Sequence, residues 1–143
     1  MGNHLLANAK ALIIAGSYFK GLEADGWLKK GLQILDREIH EQVLADGGHF
    51  ELSTMYHSII LEDILDLVNV AQTWPGKFPN SIVRVWRDVA EKMLKWLAVL
   101  THPDGQIAFF NDAAFGIAGT PDSLRAYAAR LKVNSSNHKQ GSV

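Results

Sequence analysis

Asn3-His4 and the run Asp46-Gly-Gly-His-Phe-Glu-Leu-Ser-Thr-Met-Tyr-His57 bring together residue types able to bind a carboxylate and move a proton. His49, Glu51, Tyr56 and His57 crowd around a glycine turn and a helix start, while Asn3 and His4 supply an amide and an imidazole one helical hairpin earlier. Each has a plainer role open to it. Tyr56 continues the apolar stripe to Ile60 and Ile64, Asn3 suits a helix cap, and His4 suits a solvated helix start. His49 fits a polar loop, and Glu51 could organise that loop by accepting backbone N–H groups. His57 is an imidazole beside the phenol. His4, His49 and His57 have no spacing that fixes a metal, so none is expected. His40-Glu41 is half of a zinc-protease helix motif, but Leu44 stands where the second histidine would be.

The elements that must carry these groups read as helices nearly throughout. Leu5, Ala9, Leu12, Ile13 and Gly16 share one face of a helix ending near Gly21. Leu28, Leu32, Leu35, Ile39 and Val43 form a second stripe behind Glu23 and Asp25, and this helix is expected to stop at Asp46-Gly47-Gly48. From about Ser53 to Thr73 the stripe of Tyr56, Ile60, Ile64, Leu67 and Ala71 is widened by Ile59, Leu61, Leu65, Val68 and Val70. That segment is expected to be the most buried helix, with Glu62, Asp63, Asp66 and Asn69 left for water or partners. Trp74-Pro75-Gly76 ends it. Asn80 or Ser81 then caps a helix with Ile82, Trp86, Val89, Met93, Leu97 and Leu100 inward. Residues 103–119 read as a loop in which Asn111-Asp112 are shape-giving, with Ile107 to Phe110 a short extended piece. Thr120-Pro121-Asp122 opens a last helix that buries Leu124, Tyr127, Ala128 and Leu131. The expected fold is all-α, antiparallel helical hairpins in a curved double layer.

Composition bounds the partners. A 143-residue chain with 48% hydrophobic and 20% charged residues fits one globular domain. Its net charge of −1 argues against a nucleic-acid binder, which needs a basic face. No run reaches the length and apolarity of a membrane span. The absence of cysteine excludes disulfides and thiolate metal sites, and leaves periplasm and cytoplasm equally open.

Three ordered segments, Asn3-His4-Leu-Leu-Ala-Asn-Ala-Lys-Ala-Leu12, Asp46 to His57, and His102-Pro-Asp-Gly-Gln-Ile-Ala-Phe-Phe-Asn-Asp112, resemble the heparinase II/III family of polysaccharide lyases. The resemblance covers about residues 3 to 131. It implies that residues 1–133 are part of an incomplete (α/α) toroid, and that 134–143 are a flexible tail or a truncated link to a β-sandwich domain. It also implies cleavage beside a uronic acid by β-elimination, with Asn3 and His4 neutralising the substrate carboxylate. Tyr56 would then be the proton-transferring group, and His57, Glu51 and His49 substrate-binding. A phenol titrates near pH 10, so Tyr56 needs cationic or donor-rich surroundings to act as a base, and His4, His49 and His57 are the groups expected to supply them. An acidic polysaccharide or oligosaccharide is the implied partner, without a cofactor. As a fragment, the chain is expected to be inactive or weak and to self-associate through exposed helix faces. A non-catalytic helical carbohydrate-binding or protein-interaction module is the alternative.

Overall fold

The computed structural model describes residues 2–114 and 116–133, with the side chains of residues 2 and 3 outside that description. Five helices follow in order: α1 (Gly2–Tyr18), α2 (Leu22–Gln42), α3 (Thr54–Thr73), α4 (Asn80–Val99) and α5 (Pro121–Arg130). The domain is all-α. The 134–143 segment lies outside the described residues.

Small residues let α1 and α2 close into a hairpin. A methyl on Gly16 would stand 2.6 Å from the Ala24 carbonyl oxygen, and one on Gly31 would stand 2.9 Å from that of Ala9. The contacts run in opposite order along the two helices, so α1 and α2 are antiparallel. The buried stripe of α1 is Leu6, Ala9 and Ile13, all fully buried, whereas Leu5 and Leu12 flank it half-buried. The helix ends at Tyr18 rather than near Gly21, and α2 at Gln42 rather than at Asp46.

The expectation for the third helix holds: Ile60, Leu61, Ile64, Leu65, Leu67 and Val68 of α3 are all fully buried. It packs against α1, α4 and α5, while α2 packs on α1. Thus α1, α3 and α5 form one layer, with α2 and α4 on its other side. Asp66 and Asn69 meet the Tyr127 hydroxyl, and Gln72 Nε2 donates to the Leu131 carbonyl, so α3 and α5 run the same way. At the start of α3, His57 meets Met93 near the end of α4, which makes that pair antiparallel. Pro79 occupies the cap position of α4 with no side-chain cap bond, so Asn80 is the first helical residue and not the cap. Thr120 caps α5 as expected, accepting from the Ser123 N–H.

The two outer helices end in the same device. After α2, Val43 bridges His49; after α4, Thr101 bridges Ile107. The hydrogen bonds match one for one: Phe50 N–H to Gln42 O and Ala108 N–H to Leu100 O, Leu44 N–H to Gly48 O and His102 N–H to Gln106 O. An aspartate closes each turn, Asp46 accepting from Gly48 N–H and Asp104 from Gln106 N–H, both at 2.9 Å. Gly47 (φ 91°) and Gly105 (φ 83°) hold equivalent left-handed positions. These Asp-Gly ties make the chain two successive helical hairpins of one design.

Candidate functional site

The first tie delivers the chain to the start of α3. Its glycines are required by packing: a methyl on Gly47 would stand 2.5 Å from the Lys92 carbonyl oxygen, and one on Gly48 would stand 2.6 Å from Trp96 Nε1. Beyond the tie, Leu52 has φ 53°, and Ser53 caps α3 by accepting from the Tyr56 N–H. Asn111 and Asp112 reach across from the second loop. Asn111 Nδ2 donates to the Glu51 and Leu52 carbonyls, both at 3.1 Å, and Ser53 Oγ donates to Asp112 O at 2.8 Å. The shape-giving role expected for Asn111-Asp112 is therefore observed. Glu51 is half-buried, and its carbonyl is held in this arrangement.

Tyr56 is half-buried at the beginning of α3, packed against the core without being sealed in it. His4 is exposed. Asn3 lies in the first turn of α1, and its side chain is outside the described residues. The level of these positions follows from an ion pair deeper in the molecule, where Lys10 on α1 bonds Asp63 and, at 2.8 Å, Asp66 on α3. The first tie is pinned to the end of α2, which lies beside the start of α1, so α3 begins at that same end and runs parallel to α1. Asn3 is one heptad before Lys10, and Tyr56 is one heptad before Asp63. A heptad is two turns less about 20° and spans about 10 Å. The backbone positions of Asn3 and Tyr56 thus come at a similar level along adjacent helices.

Lys10 holds an inner polar network with Asp63, Asp66 and Tyr127. Burial works against the Lys10 charge, but the two carboxylates outweigh it and its pKa is raised. Burial raises the pKa of Asp63, more than Lys10 lowers it. Burial and the Asp66 carboxylate raise that of Tyr127. Of the four acidic and amide groups expected to be left for water or partners, Asp63 is buried and paired within the chain.

His49 and His57 differ from expectation. Both are fully buried. His57 Nε2 donates to the Met93 carbonyl at 2.9 Å, and its ring stacks on Trp96 with centroids 4.4 Å apart. His49 Nε2 donates to Gln42 Oε1 at 3.1 Å, Gln42 Nε2 donates to Glu38, and Arg37 bonds the same carboxylate. Burial lowers the pKa of each imidazole to about 4. They are therefore neutral at neutral pH and supply no positive charge to Tyr56, which corrects the cationic role expected of them. Nor does either ring present a surface to a ligand in this structure, so they hold the tie to α2 and α4 instead of lining a cleft. Nδ1 of both rings and Thr54 Oγ1 have no partner among the described residues.

Glu38 and Gln42 are the residues that sequence reasoning passed over. Burial opposes the Glu38 charge, yet bonds from Arg37 and Gln42 outweigh it and its pKa is lowered. The available signal was their i, i+4 spacing beside Leu35 and Ile39, a polar pair at the edge of an apolar stripe.

Parallel helices backed by antiparallel partners, with each outer helix closed by an Asp-Gly tie, define a layered helical-hairpin domain in which α1 and α3 start at the same end. The family model for the heparinase II/III N-terminus matches residues 1–139, and the chain belongs to the heparinase II/III family. It is 38% identical over 113 residues to a heparin-sulfate lyase of Bacteroides stercoris, covering 78% of this chain and 17% of that protein. It is also 32% identical over 150 residues to a heparin-sulfate lyase of Pedobacter heparinus, covering 98% of this chain and 22% of that protein. A heparin-sulfate lyase of Bacteroides thetaiotaomicron is 30% identical over 122 residues, with 78% and 17% covered. The chain thus spans between a sixth and a quarter of the length of these relatives. No solved structure matches it.

Proposed function

We propose that this chain forms part of the catalytic cleft of a polysaccharide lyase that cleaves beside a uronic acid by β-elimination. Residues 1–133 are read as a segment of an incomplete (α/α) toroid, and the repeated hairpin with its Asp-Gly tie supports that reading. The observation that carries the function is the Lys10–Asp63 pair joining α1 to α3, from which Asn3 and Tyr56, each one heptad earlier, are inferred to come at a similar level. The relatives are heparin-sulfate lyases, and they suggest the substrate class.

Removal of the C5 proton of a uronate builds negative charge on a group already ionised. Asn3 and His4 act as donors to that carboxylate and stabilise the charge as it forms. Tyr56 transfers the proton: as phenolate it takes the proton from C5, and as phenol it returns one to the departing O4 while the C4–O4 bond breaks and a C4–C5 double bond forms. Glu51, half-buried at the rim, borders the substrate. His49 and His57 act at one remove, by holding the tie.

The protein carrying this sequence, incubated with heparan sulfate, is expected to release products with the ultraviolet absorbance of an unsaturated uronate. Tyr56→Phe removes the hydroxyl and is expected to abolish the signal, and Asn3→Ala to lower it by about a hundredfold or more, as for the loss of one oxyanion donor. Undiminished product formation by Tyr56→Phe would overturn the assignment.

A further inference from the structure

The turn from Glu51 to Ser53 sets the direction in which α3 starts, and its conformation is not one the residues adopt unaided. Leu52 stands at φ 53°, a left-handed conformation that a leucine side chain disfavours and that persists only when surrounding groups over-determine it. Four hydrogen bonds do so. Leu52 N–H donates to His49 O at 2.9 Å, Asn111 Nδ2 donates to both the Glu51 and Leu52 carbonyls, and Ser53 Oγ donates to Asp112 O. Ser53 Oγ also accepts from Tyr56 N–H at 3.3 Å, and Ser53 O accepts from His57 N–H at 2.9 Å. The second loop is thereby coupled to the first turn of α3 through one hydroxyl.

The chemistry of this strap selects asparagine. A primary amide has two N–H donors on one nitrogen, enough to serve two neighbouring carbonyls at once. Serine and threonine have one donor, aspartate at neutral pH has none, and glutamine is one methylene longer. Asn111 itself has φ 53°, which asparagine tolerates better than most residues. It is exposed, and it meets Glu51 through that residue's backbone carbonyl and not its carboxylate.

We infer that Asn111 is a positioning residue for Tyr56: it fixes the left-handed turn, the turn fixes the Ser53 cap, and the cap aims the first turn of α3 and so the phenol. The inference rests on the reading of Tyr56 as the proton-transferring group, and predicts that loosening the strap misplaces that phenol without unfolding the domain.

The test uses the 143-residue chain with carbon-13 in its tyrosine rings, the Tyr18, Tyr56 and Tyr127 signals being assigned by single Phe variants. Asn111→Asp keeps the side-chain shape and removes both donors, while Asn111→Gly keeps the positive φ accessible and removes the side chain. Both are expected to move the Tyr56 ring signal and to speed amide exchange at Tyr56 and His57 by about tenfold, with the Tyr127 signal and the urea midpoint unchanged. A Tyr56 signal at its original position in both variants overturns the inference. So does equal displacement of Tyr56 and Tyr127 with a lowered midpoint, which would make Asn111 a general prop of the fold. In the protein assayed on heparan sulfate, Asn111→Asp is expected to lower kcat by about tenfold to a hundredfold with KM little changed. If Tyr56→Phe retains full turnover while the ring signal still responds to Asn111, the catalytic reading of Tyr56 fails and the positioning of its ring stands.

Discussion

Replacing His49 with isoleucine, the residue in the matching place of the second tie, is expected to remove a defined share of the acid sensitivity of this domain. The ring is fully buried and its pKa is lowered from 6.5 to about 4, so between those values the unfolded chain binds a proton that the folded chain refuses. Stability from this residue is complete above about pH 6.5, declines as the pH falls toward 4, and is lost below that. Over the interval from pH 7 to pH 5 the linkage amounts to about 2 kcal/mol for one such ring. His57, with the same lowered value, contributes a similar amount, so the pair accounts for about 4 kcal/mol. Urea unfolding followed by helical ellipticity at the two pH values measures the difference directly. The parent chain is expected to lose about 2 kcal/mol more than His49→Ile on acidification. The variant's stability at pH 7 is not the readout, because Gln42 also loses a partner. Equal pH dependence in parent and variant, or a parent chain that grows more stable toward pH 5 than the variant does, would refute the assignment of a buried neutral imidazole.

Gly16→Ala is expected to cost about 1 to 3 kcal/mol, because the added methyl meets backbone of α2 at 2.6 Å. Gly26→Ala, in the same hairpin but with open space around the new methyl, is expected to gain about 0.5 to 1 kcal/mol; thermal melts of the two variants give opposite signs. Lys10→Met leaves Asp63 buried without its cation and is expected to cost about 2 kcal/mol at pH 7. That cost shrinks toward pH 5 as the carboxyl group, its pKa already raised by burial, takes up a proton, a trend that paired urea titrations will reveal.

The hydrophobic period made the helices legible because each buried face repeats at helical spacing, and Thr120-Pro121 marked a helix start through local chemistry alone. It did not separate Leu5 from Leu6, since both are apolar and the choice depends on how closely Gly16 and Gly31 let α2 approach. Pro79 took the cap position because a rigid φ suits the entry to α4 even without a side-chain acceptor. At the site, the positions of Tyr56, Ser53 and Asn111 follow from turn and cap chemistry that a sequence displays. The burial of His49 and His57 does not. Their partners, the Met93 carbonyl, the Trp96 face and the Gln42 amide, come from helices packed around the tie, and no local pattern announces which backbone oxygen will meet which imidazole.

Because each tie hydrogen-bonds to the end of its own outer helix, Phe50 to Gln42 and Ala108 to Leu100, a hairpin completes itself before the next begins. Growth of such an architecture is then additive: another unit can join the edge of the layers at the expense of one new interface, as in solenoid arrays with nearest-neighbour energetics. The second tie closes with isoleucine and leucine where the first has histidine and glutamine, so chain reversal alone does not demand the polar pair, and ties with the same backbone hydrogen bonds are free to diverge in what they carry.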